Sequence, residues 1–207
     1  KVVLKAAGVE AFNKKIIAAS PTVYDMAAYP KTLSGKTVAT YVNTHTDLSD
    51  ELYREGKLVS DNYKNILRSQ TNAAAIPAEV TVRYGVTVRR ANLRNLPTGE
   101  GLFFYAGDRN FDALQETALD PGEAVAILHT STNGYFYYVQ AYNYRGWLSK
   151  FDVAETDRSI WLRYAEPKNF LTVVAKDYTL KADGAQVLFQ QGARLQLADK
   201  KASAYTV

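Results

Sequence analysis

His45 and His129 are the only imidazoles in the chain, and no cysteine accompanies them. Without a thiol there is no thiolate nucleophile and no cysteine metal site within these residues. A histidine metal site would need further ligands converging from Asp or Glu, and neither histidine has such a neighbour in sequence. His45 reads as a turn cap and His129 as cover for a strand edge. The acidic groups Asp47, Asp50 and Glu51, and again Asp152, Glu155 and Asp157, contain the carboxylate pairs that acid–base hydrolysis requires. Each group sits where a helix is expected to start, and negative charge there complements the helix dipole. In "GDRNFD", Asp108, Arg109 and Asp112 suit a local ion-paired turn better than a substrate loop. The run "GEGLFFYAG" lacks the spacing and the lysine of a phosphate-binding loop. These residues therefore predict no catalytic site, no metal and no cofactor.

Binding chemistry is better represented, in the stretch "TNGYFYYVQAYNYRGWLS". Strand alternation puts Tyr135, Tyr137, Val139 and Ala141 on one face and Phe136, Tyr138, Gln140 and Tyr142 on the other. Val139 and Ala141 suit a small core, so the odd-numbered face is expected inside. Tyr138, Tyr142 and Trp147, with Arg145, are then left outside. An aromatic patch of that size is either packed under another element or kept for recognition. Tyr and Trp offer rigid apolar area with a polar handle, and Arg binds carboxylates. The expectation is that Tyr138, Tyr142, Arg145 and Trp147 form a peptide-contacting wall, at least partly uncovered.

The elements that must position these residues change style along the chain. From Val9 to Ala19 the apolar residues recur at helical spacing, with Lys14 and Lys15 on the other side. "SPTVYDMAAYPKTLSGK" is broken by Pro21, Pro30 and Gly35. Thr46 to Ser49 offer caps for "DELYREGKLVSDNYKNILRSQTN", which Gly56 is expected to divide into two helical pieces, the second capped by Ser60. This first third has too few apolar residues for a core of its own, so it is expected to lie against something else. Beyond Pro77 the period becomes two. Short strands follow, with turns at Pro121-Gly122 and Asn133-Gly134 and a long insertion at "GEGLFFYAGDRNFDALQETALD". They predict a small antiparallel barrel. "ETDRSIWLRYAE" reads as a helical linker. "FLTVVAKDYTLKADGAQVLFQQGARLQLADK" then repeats a barrel opening, with turns at Asp183-Gly184 and Gln191-Gly192, in too few residues for a self-sufficient core.

Composition bounds the function classes. A hydrophobic fraction of 47% with 22% charged residues describes a folded globular chain. No window approaches the ~18 consecutive apolar residues of a membrane span. The net charge of +4 sits wholly in the first 40 residues, where six lysines face Glu10 and Asp25. The aromatic middle therefore lacks the basic footprint of a nucleic-acid surface. The basic N-terminus suits either a solvated helix face or attraction to an anionic cell surface.

The ordered motifs Leu-Arg-x-x-Pro-Thr (93–98), Leu-Gln-Glu-Thr (114–117), Pro-Gly-Glu-x-Val-x-Ile-Leu-His (121–129), Ser-x-Asn-Gly (131–134) and Tyr-x-Gly-Trp (144–147) resemble the first bacterial SH3-like domain of NlpC-type cell-wall cysteine peptidases. "YVNTHTDLSDELYREGKLVSDNYKNIL" resembles the clip-like N-terminal segment of that architecture, and the last forty residues resemble the opening of its second SH3-like domain. The resemblance implies a mainly β chain with a helical N-terminal segment. Its parts would be a clip-like segment over 1–78, a first SH3-like barrel over 79–156, a helical linker over 157–166 and an incomplete second SH3-like barrel over 167–207. It further implies a bacterial cell-envelope location, periplasmic or secreted, and peptidoglycan stem peptide as partner. The papain-like domain that cleaves the γ-D-glutamyl-diamino-acid bond in this family is missing from these residues. The alternative is a stand-alone SH3-like binding or scaffold protein of the envelope.

Overall fold

The computed structural model describes the chain apart from residues 1, 2, 45, 49, 183, 198, 202, 203 and 207. The expectations attached to His45, Ser49 and Asp183 lie outside the described residues.

The N-terminal third is only partly as its sequence suggests. Helix α1 (Ala6–Ala19) forms where the apolar spacing predicts it, and its stripe of Val9, Phe12, Ile16 and Ile17 remains exposed. Strand β1 (Thr32–Ser34) leads directly into helix α2 (Gly35–Asn43), whose first turn is capped by the Ser34 hydroxyl accepting the Thr37 N–H at 3.1 Å. Gly35 thus opens a helix instead of interrupting one. Its missing side chain is needed for packing, since a Cβ there would lie 1.9 Å from the Pro77 carbonyl oxygen.

The first of the two expected helical pieces after Thr46 does not form. Strands β2 (Tyr53–Arg54) and β3 (Lys57–Leu58) make a hairpin in its place. Glu55 at φ 51° and Gly56 at φ 79° supply the two positive dihedrals of a primed turn. The second piece is helix α3 (Asp61–Ser69), with the Ser60 hydroxyl accepting the Tyr63 N–H. Its inward residue Leu67 packs with Leu48, Leu52, Val59, Leu96, Leu102 and Leu114, so the helix, the hairpin and the insertion share a core.

The chain then turns to strands. They are β4 (Glu79–Thr81), β5 (Arg83–Thr87), β6 (Ala91–Arg94), β7 (Gln115–Leu119), β8 (Ala124–Thr130), β9 (Phe136–Gln140), β10 (Arg145–Ser149) and β11 (Val153–Thr156). Strand β4 pairs with β1, and the other seven form one antiparallel sheet in the order β11-β5-β8-β9-β10-β6-β7. Its inner face carries Leu93, Val125, Ile127, Val139, Ala141 and Leu148, all essentially inaccessible. The fold is mainly β, with a helical N-terminal segment and an SH3-like barrel.

Strand β8 is buried on both faces, which explains its unbroken apolar run. Val125 and Ile127 point into the barrel, while Ala124, Ala126 and Leu128 join a second core outside it. That outer core also takes Met26, Tyr29, Val38 and Val42 from the N-terminal third, and Trp161 from helix α4 (Arg158–Ala165). The Trp161 indole donates to the Val125 carbonyl at 3.1 Å and packs 4.8 Å from the Tyr84 ring. The predicted linker helix is thus seated on the barrel by a buried, satisfied aromatic.

Beyond α4, β12 (Phe170–Thr172) pairs with β15 (Arg194–Gln196), β13 (Asp177–Ala182) with β14 (Ala185–Gln190), and β16 (Asp199–Lys201) with β17 (Ala204–Thr206). Val173, Phe189, Ala193 and Leu195 form a small separate core, beside which Val174, Tyr178 and Leu188 stay exposed.

Candidate functional site

The β9–β10 hairpin sets the geometry of the aromatic stretch. Arg145 pairs with Gln140 and Trp147 with Tyr138, so all four side chains project from the outer face. As expected from alternation, Val139 and Ala141 lie inside the barrel.

Of the four residues of the expected, partly uncovered wall, Tyr138 and Trp147 are closed off by what covers that outer face. Trp147 is 0% and Tyr138 4% exposed. Their rings meet edge-on at 5.1 Å in the outer core, under Tyr29, Val38 and Val42. The Tyr138 hydroxyl donates to the Tyr41 carbonyl at 2.7 Å, and burial pushes its pKa well above the ordinary phenol value. The N-terminal third needed a surface to bury Val38, Val42 and Met26, and these aromatics supply it. A solvent-borne ligand therefore has no access to either ring in this state.

Tyr142 and Arg145 keep accessible surface. Tyr142 is half-exposed, and its carbonyl accepts the Tyr24 N–H at 2.7 Å. Arg145 Nε donates to Gln140 Oε1 at 2.6 Å and one Nη to the Tyr24 hydroxyl at 2.9 Å. Its guanidinium carbon lies 3.4 Å from the centre of the Tyr41 ring and 5.9 Å from that of Tyr24. Gln140 is itself locked, its amide donating to the Ala141 and Tyr144 carbonyls. Arg145 is thus held by one amide and two tyrosines, with no ion pair among the described residues.

The other guanidinium nitrogen, Nη1, makes no hydrogen bond among the described residues. It belongs to a side chain lining a cavity of about 490 Å³, together with Thr22, Thr44, Glu116, Asn143 and Tyr144. A planar, fixed, unpaired cation with free donors is suited to a carboxylate. Tyr142 lines a different cavity, beside Met26 and Glu123. The sequence reading missed Tyr24, Tyr41 and Gln140 as the cradle of Arg145. The two tyrosines lie more than a hundred residues upstream, in a segment whose docking no local pattern reveals.

The other candidates serve the fold. Asp112 pairs with Arg94 of β6 at 2.7 Å and accepts the N–H groups of Leu102 and Leu114, so the "GDRNFD" turn has its ionic partner outside itself. Asp108 accepts the N–H groups of Asn110 and Phe111. Asp152 pairs with Arg89, and Glu155 takes both Arg83 and the Tyr137 hydroxyl. Asp50 and Glu51 precede the β2–β3 hairpin, so the helix start expected there is absent. His129 Nε2–H donates to the Asn72 carbonyl at 3.0 Å, tying the barrel to the end of α3. Among the described residues no cluster of His, Asp or Glu could hold a metal ion, and no helix is long and apolar enough to cross a membrane.

The seven-stranded antiparallel sheet is thus an SH3-like barrel. Residues 102–149 match the family model described as SH3 domain (SH3b1 type). Among solved structures, the chain is similar to an NlpC/P60 endopeptidase from Photobacterium damselae subsp. piscicida, with 18% identity and a TM-score of 0.73. That match covers 97% of this chain and 48% of the other, so the chain spans about half the length of that structure. No curated protein matches.

Proposed function

We propose that this chain is a non-catalytic region that binds peptidoglycan stem peptide and orients it for a papain-like cysteine peptidase domain at the bacterial cell envelope. Within that reading the chain divides into a clip-like segment (1–78), a first SH3-like barrel (79–156), a linker (157–166) and part of a second barrel (167–207). The observation that carries it is Arg145, a cation fixed at a cavity with one nitrogen uncommitted and no ion pair among the described residues, although Glu116 stands in the same lining. Stem peptides bring carboxylates, the group that a fixed guanidinium takes. The SH3b1-type match and the likeness to an NlpC/P60 endopeptidase support the cell-wall assignment.

Calorimetric titration of a muropeptide into the wild-type chain and Arg145→Gln tests it. The expected loss is about 1–3 kcal/mol of binding, as for an anchoring residue, with the cooperative melt retained. Unchanged affinity in a folded Arg145→Gln chain would overturn the assignment.

A further inference from the structure

Glu123 and Arg194 line one small cavity, and neither forms an ion pair among the described residues. The cavity, about 240 Å³, forms where the Pro121-Gly122 turn ahead of β8 meets the Gly192 turn ahead of β15, and Tyr142, Tyr164 and Pro167 complete its wall. The Glu123 backbone is pinned, since its N–H donates to the Thr87 hydroxyl at 2.9 Å and its carbonyl accepts the Thr87 N–H at 3.0 Å. The Arg194 guanidinium lies over the Phe170 ring at 5.0 Å. Neither side chain makes a hydrogen bond or an ion pair among the described residues. Burial raises the proton affinity of Glu123, and Arg194 offsets part of that rise, so the two charges sense each other without meeting.

A half-buried carboxylate with no donor carries a desolvation cost that a cationic partner would remove. Arg194, an exposed residue of the same lining, offers the opposite charge. At this volume, under the usual ~300–1,000 Å³ of a ligand site, the space suits a group the size of one amino acid. We propose that this cavity binds a zwitterionic amino-acid group, with its ammonium on Glu123, its carboxylate on Arg194, and the rings of Tyr142 and Tyr164 against the remainder. The site uses a different pair of charges from the Arg145 cavity, and it stands or falls separately from the stem-peptide reading.

The test is a nuclear magnetic resonance titration of the isotope-labelled full chain with glycine and with D-alanine. Glycinamide, which keeps only the ammonium, and N-acetylglycine, which keeps only the carboxylate, serve as comparisons. The expected result is a saturable shift of the Gly122, Glu123, Gly192 and Arg194 amides with the zwitterions, and binding at least about tenfold weaker for each single-charge compound. Glu123→Gln and Arg194→Gln should each weaken glycine binding by about tenfold while still melting cooperatively. Should Glu123→Gln fail to fold, Arg194→Gln carries the comparison, because Arg194 is an exposed residue. Absence of a saturable response, equal binding of glycinamide and glycine, or undiminished binding by folded Arg194→Gln would each overturn the proposal.

Discussion

Truncating Trp147 separates a packing seam from a recognition wall. The indole is wholly inaccessible, lies edge-on to Tyr138 at 5.1 Å and to His129 at 6.3 Å, and leaves its Nε1–H without a hydrogen-bond partner among the described residues. Trp147→Ala removes the whole ring and opens a cavity between the barrel and the N-terminal third, a change that costs about 3–5 kcal/mol in a well-packed core. For a chain of 207 residues, each kcal/mol lowers the melting temperature by about 2–4 °C, so the midpoint should fall by roughly 6–20 °C. Trp147→Phe fills most of the space and removes the unpaired N–H, so it should cost less than about 2 kcal/mol. Thermal melts followed by circular dichroism measure both. Muropeptide affinity, titrated well below the melting transition, should stay within about twofold of wild type for Trp147→Phe, because the ring never meets solvent. A Trp147→Ala chain that melts within about 2 °C of wild type would refute the seam, since even 1 kcal/mol produces that shift.

Two further perturbations probe how the insertion and the α3 junction are held. Asp112→Ala strands the buried Arg94 and frees the Leu102 and Leu114 amides, so it should cost about 3–5 kcal/mol in denaturant unfolding; replacing Arg94 by Met as well should recover much of that, and a single-variant cost below about 1 kcal/mol would refute the clamp. His129 is held below the ordinary imidazole pKa, first by burial and further by the Arg83 charge, against the opposing pull of the Asn72 and Thr71 carbonyls. The folded state therefore binds its proton later than the unfolded chain, whose imidazole titrates near 6.5. Stability from this group is complete above that pH and declines as pH falls through it toward the folded pKa. Melting temperature between about pH 7.5 and 5.5, above the carboxylate range, should drop more steeply for wild type than for His129→Gln, and parallel slopes would refute the assignment.

What was legible in the sequence is what local chemistry determines. Asn133-Gly134 gives its turn because Gly134 takes φ 71° and the Asn133 side chain accepts the Ser131 hydroxyl and the Tyr135 N–H. Val139 and Ala141 identify the inner face because strand alternation has period two and the barrel interior is small. The β2–β3 hairpin was hidden because Glu55 carries the first positive φ, a conformation that side chains other than Gly, Asn and Asp seldom adopt. Arg94 and Asp112 were seen as parts of separate motifs, since eighteen positions of chain and a long loop lie between them. No spacing rule links residues so far apart.

The same distinction between local and distant information explains why the aromatic stretch was half understood. Trp147 and Arg145 occupy the same face of β10, two residues and so about 6.6 Å apart along the strand. Periodicity assigns both to one surface and is right to do so. It cannot say where cover ends, because the cover comes from Tyr29, Val38 and Val42, about a hundred residues upstream. That cover closes over Trp147 and stops at Tyr24 and Tyr41, whose hydroxyl and ring hold the guanidinium at the rim. The packed segment thus fixes a cation that it leaves partly uncovered. On the reading proposed above, a rim cation held this way would lose little side-chain freedom when a carboxylate arrives, so its cradle of Gln140, Tyr24 and Tyr41 would add to affinity without touching the ligand.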